Sequence, residues 1–231
     1  MNQKSWNTID LVVVAYLILF ALLVVGWQRS KQQLAAETVD SRLHYLLAQA
    51  EVKPIDLNLP TNPEKVELGR LLFFDKELSG NRDISCATCH HPRLASADAR
   101  SLSIGTGGNG LGKLRVLGKN RFDIPRNAPE IFNRGSAAWR TMFWDGRVAA
   151  DTYALDTPAA ELLPTGLDSA LAAQALFPPT SRDEMRGDIG DLDSHGNRNE
   201  VAFADDADPT QTWEALINRL MAIEEYQTLF R

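Results

Sequence analysis

The segment Cys86-Ala87-Thr88-Cys89-His90 constrains the fold of this chain more than any other part of its sequence. When a C-x-x-C-H segment winds into a helix, both thiols can add to the vinyl groups of a haem, and the histidine that follows is placed against the iron as its proximal ligand. The chain contains 2 cysteines, and both belong to this motif. The sequence therefore predicts one covalently bound haem c, attached through Cys86 and Cys89, with His90 as the ligand of the haem iron.

Zinc binding and thiol redox chemistry are the alternative uses of these cysteines. A structural zinc site needs four well-spaced ligands, whereas the available ligands are crowded into residues 86–91 and no second ligand pair follows. A thioredoxin-like dithiol is preceded by a buried strand, but residues 77–85 (ELSGNRDIS) have the composition of a polar loop. A thiol-disulfide oxidoreductase is therefore a less favoured alternative to a haem protein.

Residues 11–27 (LVVVAYLILFALLVVGW) form an uncharged, almost wholly apolar run that is long enough to cross a bilayer as one helix. A cleaved signal peptide has a shorter apolar core followed closely by small residues, whereas polar and charged residues follow here at positions 28–31. Residues 1–30 are therefore interpreted as an uncleaved membrane anchor, with a cleaved signal as the alternative. The flanking charges slightly favour a cytoplasmic C-terminal side, but thioether formation needs haem delivered across the membrane. We expect a single-pass protein of the plasma (inner) membrane with its haem domain in the periplasm.

The remainder of the chain is predicted to be mainly α-helical with long loops. Residues 31–62 are interpreted as a linker helix and a proline-rich linker, and residues 63–231 as a cytochrome c-like haem domain. Apolar residues recur at helical spacing in residues 38–50, 63–75, 168–177 and 210–230. Residues 105–133 are rich in glycine, proline and asparagine and predict a long irregular loop. No alternating pattern predicts a strand of useful length.

Composition and two weak motifs exclude further classes of function. Of the 231 residues 44% are hydrophobic and 23% are charged, as in ordinary globular proteins. The net charge is -6 and no run of basic residues occurs, so nucleic acid is not expected as a partner. Residues 105–110 match G-x-G-x-x-G without a preceding strand or a following helix, so they predict a flexible loop. Residues 191–202 imitate a calcium loop, but Ala202 replaces the bidentate glutamate, so a solvated acidic turn is expected.

Several blocks around the haem motif occur in the order found in a known family. They are Leu68-Gly69-Arg70-Leu71-Leu72-Phe73-Phe74-Asp75, Leu78-Ser79, residues 84–90, Ser103-Ile104-Gly105, Arg126-Asn127-Ala128-Pro129, Phe132-Asn133, Phe143-Trp144-Asp145-Gly146-Arg147, Gln174 and residues 178–185. With these blocks, residues 63–231 resemble the N-terminal haem domain of bacterial di-haem cytochrome c peroxidases, a family that also contains the MauG-type enzymes.

The resemblance implies roles for individual residues. His90 would be the proximal ligand of the peroxidatic haem, and Trp144 would lie between two haems as an electron-transfer residue. Asn127 matches a calcium-associated position. Gln174 and Glu184 match residues of the distal face, where a carboxylate can take a proton from bound peroxide and return it to the leaving oxygen. From the residues alone, Trp144 is also compatible with an ordinary core position and Glu184 with a surface carboxylate.

Two departures from the family pattern affect these expectations. Many members carry a histidine after Ser-Ile-Gly that occupies the sixth iron position until a second haem is reduced, whereas this chain has Thr106 there. We therefore expect a ferric haem that is open to peroxide without prior reduction. A second C-x-x-C-H motif, present in family members, does not occur in this sequence, so the chain is expected to correspond to half of such an enzyme.

The resulting functional prediction is a haem c peroxidase, or the N-terminal half of one. It would reduce hydrogen peroxide with electrons from a small redox protein such as a cytochrome or a cupredoxin, and a second haem domain or subunit is an expected partner. The alternative function is that of a non-catalytic, mono-haem electron-transfer cytochrome, in which a sixth ligand blocks peroxide.

Overall fold

A computed structural model of the chain describes residues 8–35, 38–54, 62–151 and 154–231. The chain divides into two compact units, Met1–Asp56 and Leu57–Arg231. The proline-rich linker predicted before residue 63 lies largely outside the described residues.

The first unit contains helices α1 (Thr8–Ala35) and α2 (Val39–Gln49). Within α1, Val12–Ser30 is apolar and long enough to cross a membrane, as the sequence predicts, although a signal sequence near an N-terminus has the same properties. Helix α2 begins where expected because the Thr38 hydroxyl accepts a hydrogen bond from the Ser41 amide at 3.2 Å. Its leucines are exposed within this unit.

The second unit consists of short helices, a small sheet and extensive loops. Its α-helices are α3 (Pro63–Phe74), α4 (Cys86–Cys89), α5 (Ala170–Gln174), α6 (Pro209–Met221) and α7 (Glu224–Leu229). Single 3₁₀ turns occur at Lys76–Leu78, Pro92–Leu94, Gly112–Leu114, Ala160–Leu162, Pro178–Thr180 and Val201–Phe203, and a π-helical turn at Arg182–Arg186. The mainly helical class is confirmed, and the long irregular loop predicted over residues 105–133 contains no α-helix.

Helix α3 begins and ends where its sequence predicts. Asn62 caps it by accepting a hydrogen bond from the Lys65 amide at 2.9 Å, and Pro63 occupies the first helical position, where an amide proton is not required. The helix predicted over residues 210–230 is instead two helices, because the chain leaves helical geometry at Ile223 before α7.

A small antiparallel sheet is the main feature that the sequence does not predict. It consists of β1 (Thr141–Met142), β2 (Val148–Ala150) and β3 (Leu155–Asp156), with Met142 opposite Val148 and Ala150 opposite Leu155. Strands this short carry no detectable alternation. The buried side chains of Met142 and Val148 pack with α5 to form an apolar core.

Three aromatic rings extend this core towards α6. Phe143 contacts Phe177 edge to face with ring centres 6.4 Å apart, and Phe177 contacts Trp213 in the same way at 6.3 Å. The Trp213 indole N–H donates to the Leu176 carbonyl at 2.8 Å, so the polar group of this buried ring has a hydrogen-bond partner.

Most residues of the predicted solvated turn over residues 191–202 are exposed, but Asp193 within it is buried. The Asp193 carboxylate accepts hydrogen bonds from the backbone amides of His195 (2.9 Å) and Asn197 (2.8 Å) and pairs with Arg82. These donors use the oxygens that a cation would need, so the turn is held by protein contacts. The pairing of Asp193 with Arg82, more than a hundred residues away in sequence, is a tertiary contact that the local pattern does not predict.

Helix α6 fixes the segment that leads into the haem motif through one buried side chain. The guanidinium of Arg219 donates to the carbonyl oxygens of Glu77 and Ser79, each at 2.7 Å, and its Nε donates to Glu200 at 2.9 Å. Buried carbonyls of irregular backbone must find donors outside the segment. Arg219 therefore replaces the hydrogen bonds that regular secondary structure would have supplied.

We predict that Arg219→Met lowers the free energy of unfolding by about 2–3 kcal/mol, because loop carbonyls lose their donor while remaining buried. Urea denaturation of the purified chain measures this change. Arg140→Met is the matched control: Arg140 is exposed, and its side chain has no hydrogen bond or ion pair within the described ranges. Its effect should stay within about 0.5 kcal/mol, and equal losses in both variants would contradict the role given to Arg219.

Candidate active site

Helix α4 is a single turn that presents the two cysteines of the haem motif. The Ser85 amide donates to Thr88 Oγ1 at 3.0 Å, which closes the start of the turn. Ala87 and Thr88 are buried, whereas Cys86 and Cys89 are half-buried and not joined by a disulfide. The intervening residues thus anchor the turn, and the thiols remain available.

His90 is oriented by two backbone carbonyls. Its Nδ1 lies 3.0 Å from the Pro129 oxygen and 3.2 Å from the Ser96 oxygen. Carbonyl oxygens only accept hydrogen bonds, so Nδ1 carries the proton and Nε2 is left with a free lone pair. Metal-bound histidines have this arrangement. The residues present therefore fit a haem iron bound at Nε2 of His90.

The pKa values of the two thiols are shifted in the opposite direction to those of a redox-active dithiol. Burial raises the pKa of both, and it raises that of Cys89 to about 12, with a further contribution from the negative charge of Asp98. Catalytic cysteines require a lowered pKa, since the thiolate is the nucleophile. This argues against the thiol-disulfide oxidoreductase alternative.

A loop over residues 103–107, here called the Thr106 loop, packs against the haem motif. The Cys89 thiol donates to the Ile104 carbonyl at 3.8 Å. The buried guanidinium of Arg115 donates to that same oxygen at 2.9 Å and to the Gly105 carbonyl at 2.6 Å. The first residues of the loop are therefore held by hydrogen bonds to their backbone, a feature that the glycine-rich sequence does not predict.

Glu184 lies on the π-helical turn Arg182–Arg186, and its carbonyl oxygen accepts a hydrogen bond from the Thr106 amide at 2.8 Å. Such turns are rare and often occur at functional sites. Burial raises the pKa of Glu184 to about 7, while the positive charge of Arg147 opposes this shift and Asp183 reinforces it. The side chain is half-buried, so the surface interpretation of Glu184 is wrong. Its charge also acts on Cys89, which brings it into the same region as the haem motif.

Trp144 is exposed, not part of the core. Its side chain is 69% accessible, and the Arg126 guanidinium lies over the ring at 4.0 Å from its centre. The adjacent Phe143 has a left-handed backbone (φ 64°) and is covered by Arg147 at 3.7 Å. The turn thus directs Phe143 to the core and leaves the indole of Trp144 available to another molecule.

Gln174 and Asn127 are less closely connected to this site. Gln174 is the half-buried last residue of α5, and Asn127 is exposed beside the Ala128 amide that binds Ser103 Oγ at 2.8 Å. Within the described ranges, no group of three or more His, Cys, Asp or Glu side chains is placed to hold a metal ion. Calcium at Asn127 stays a prediction.

Three residues of the site were not singled out from the sequence. Asp83 and Arg115 bind the Thr106 loop, and Asp98 is almost fully buried with its Oδ2 lacking a hydrogen-bond partner among the described residues. None of them belongs to a recognisable motif. Arg147 belongs to the Phe-Trp-Asp-Gly-Arg block in the sequence, but only the fold brings its positive charge close enough to lower the pKa of Glu184.

Comparison with known proteins identifies the family. Residues 63–231 match the family model of the di-haem cytochrome c peroxidases, which includes MauG. The chain therefore belongs to this family, whose members bind haem c.

Curated relatives cover different shares of the chain. It is 31% identical over 173 residues to the methylamine utilization protein MauG of Methylorubrum extorquens, covering 74% of this chain and 32% of that protein. It is 42% identical over 98 residues to the cytochrome c peroxidase Ccp of Escherichia coli K12, covering 42% of this chain and 18% of that protein. A solved MauG-like protein associated with microbial copper homeostasis is 26% identical, with a TM-score of 0.42. The match covers 78% of this chain and 37% of that protein. The chain spans well under half the length of each.

We predict that the purified chain carries one haem that stays with the polypeptide in acidified organic solvent. Cys86→Ala together with Cys89→Ala should abolish this retention, as measured by the mass of the intact chain. His90→Ala should remove the proximal iron ligand and change the haem spectrum. His91→Ala is the neighbouring control, because its Nδ1 accepts from the Arg93 amide at 3.2 Å. Haem that extracts freely from the unaltered chain would contradict the prediction.

Proposed function

We propose that this chain is a haem c peroxidase domain that reduces hydrogen peroxide, either by itself or as the N-terminal half of a larger enzyme. The observation that carries the proposal is Glu184, a half-buried carboxyl group with a raised pKa on a π-helical turn in contact with the loop that packs on Cys89. A cytochrome that only transfers electrons does not need an acid-base carboxyl group. Membership of the peroxidase family supports the same conclusion.

Cys86, Cys89 and His90 would hold the cofactor. When bound, haem supplies an iron centre that takes up peroxide and exchanges electrons one at a time. The carbonyls of Pro129 and Ser96 keep the His90 ring in one tautomer and one orientation.

Glu184 would serve as the acid-base group. Its carboxylate takes the proton from one oxygen of peroxide and returns it to the other, which then leaves as water. A pKa of about 7 suits both halves of this transfer, since the group is neither too weak a base nor too weak an acid at neutral pH. Arg147 would limit the rise of this pKa. The family resemblance implies that Gln174 lines the same face.

Conversion of one peroxide to two waters consumes two electrons and two protons. We propose that the electrons enter at the exposed indole of Trp144. The Arg126 guanidinium over the Trp144 ring would favour an acidic patch on the donor, such as a cytochrome, a cupredoxin or a second haem domain or subunit.

Helix α1 would anchor the protein in the plasma membrane, with the haem domain on the periplasmic side. Its length and apolar composition support the membrane span, and the periplasmic side is proposed because thioether formation needs haem delivered across the membrane. Asn127 remains the proposed calcium-associated residue.

We predict that Glu184→Gln slows the reaction of the ferric haem-loaded chain with peroxide by about a hundredfold. Stopped-flow absorbance after mixing with peroxide measures the rate. In the unaltered chain the rate should rise with pH through about 7, because only the deprotonated carboxyl accepts a proton, and should level off above it. The Glu184→Gln profile should lack this rise.

The control for this experiment is Glu214→Gln, which alters an exposed glutamate of α6. It should react like the unaltered chain. An unchanged rate in Glu184→Gln would exclude the acid-base role. A ferric spectrum that is low-spin and unaffected by cyanide would instead indicate the electron-transfer cytochrome.

We predict that Trp144→Phe slows reduction of the ferric chain by a reduced small cytochrome, because the exposed ring contacts the donor. Single-turnover stopped-flow measures this rate. Trp139→Phe is the matched control, since Trp139 is also exposed and lies under Arg134 at 3.9 Å. Equal rates in both variants and the unaltered chain would show that electrons enter elsewhere.

A further inference from the structure

We propose that Thr106 is a positioning residue that fixes the turn carrying Glu184, by joining it to Asp83 at the start of the haem-binding segment. The inference rests on the proposed function in that Glu184 is the group being positioned. Thr106 stands where many family members have an iron-binding histidine, and the proposal assigns the threonine a structural role at this position.

The first part of the argument is the side chain of Thr106. It is 1% exposed, and its hydroxyl donates to Asp83 Oδ1 at 2.7 Å. The amide of Gly107 donates to Asp83 Oδ2 at 2.5 Å. Both oxygens of Asp83 thus hold consecutive residues of the loop, three positions before Cys86 in the sequence.

The second part is the backbone of Thr106. Its amide donates to the carbonyl oxygen of Glu184 at 2.8 Å. Gly105 packs so closely against the π-helical turn that a Cβ there would lie 1.9 Å from the Asp183 oxygen and 2.5 Å from the Glu184 oxygen. Only glycine allows this approach, so the two segments are in direct backbone contact.

These contacts form a continuous connection from Asp83 through Thr106 to Glu184. The π-helical turn is closed by its own backbone hydrogen bonds, from the Arg186 amide to the Ser181 oxygen (2.9 Å) and from the Gly187 amide to the Arg182 oxygen (3.0 Å). The Thr106 amide adds a contact from outside the turn, at the carbonyl of Glu184 itself. Loss of the Thr106 hydroxyl would weaken the connection at Asp83, which would keep only the Gly107 amide, while the loop would remain bound through Arg115. The expected consequence is a misplaced carboxylate in a domain that is still folded.

Thr106→Val tests this proposal, because it removes the hydroxyl and keeps the size of the side chain. Thr106→Ser restores the hydroxyl. Thr212→Val is the control, since the Thr212 hydroxyl is also fully buried but lacks a hydrogen-bond partner among the described residues. All variants are compared as haem-loaded full-length chains.

Hydrogen exchange followed by mass spectrometry gives the first readout. Exchange of the peptide containing residues 182–187 should become faster in Thr106→Val but not in Thr106→Ser or Thr212→Val, and exchange of α6 should be unchanged in all three. An unchanged 182–187 peptide in Thr106→Val would overturn the proposal whether or not Glu184 acts in catalysis.

The rate of the peroxide step gives the second readout. Thr106→Val should slow it by about tenfold, since small displacements of a catalytic group have large effects. In a Glu184→Gln background the same substitution should cause no further loss, because the group that it positions is absent. A tenfold loss that persists there, or a wild-type rate in Thr106→Val alone, would refute positioning. If Glu184→Gln itself has no effect, the proposed acid-base function fails, and the exchange readout still decides whether Thr106 holds the turn.

Discussion

Hydrogen bonds from buried arginines to loop carbonyls hold the second unit of this protein together. Most of its backbone lies outside helices and strands, so many carbonyl oxygens have no partner within their own segment. Arg115 and Arg219 are each less than a tenth exposed and each bind carbonyls of loop residues. A guanidinium group presents five donors in a fixed plane and suits this task better than any other side chain.

These arginines act on the segments that build the candidate site. Arg219 fixes the chain before the haem motif, and Arg115 fixes the loop after it. The site is therefore assembled from loops whose positions are set by a few buried polar contacts. This explains how a domain with one-turn helices can hold a histidine ring and a carboxyl group in defined orientations.

Charge and exposure divide the site into two parts with different chemistry. Around Glu184, burial outweighs the positive charge of Arg147 and raises the pKa to about 7, so both protonation states of the carboxyl group are populated at neutral pH. Around Trp144, the indole is exposed beneath Arg126. Proton transfer benefits from exclusion of water, whereas electron entry requires contact with another redox protein. The turn over residues 143–147 serves both parts, since Arg147 and Trp144 belong to it.

The sequence alone determined the features that depend on neighbouring residues. The haem motif, the apolar helix α1, the caps of α2 and α3 and the irregular loop after the motif are all local patterns, in which a few adjacent residues decide the outcome. The family resemblance also followed from local blocks read in order. The short strands and the division between α6 and α7 could not be predicted, because packing against distant segments overrides weak local preferences.

Only the tertiary structure decided which side chains are buried and paired. Asp83 and Thr106 are 23 residues apart, and Arg219 and Glu77 are 142 apart, yet each pair is in contact. The burial that raises the pKa of Glu184 and the exposure of Trp144 depend on such contacts. A hydrogen bond or a desolvated charge is a property of two segments brought together, and neither segment specifies it by itself.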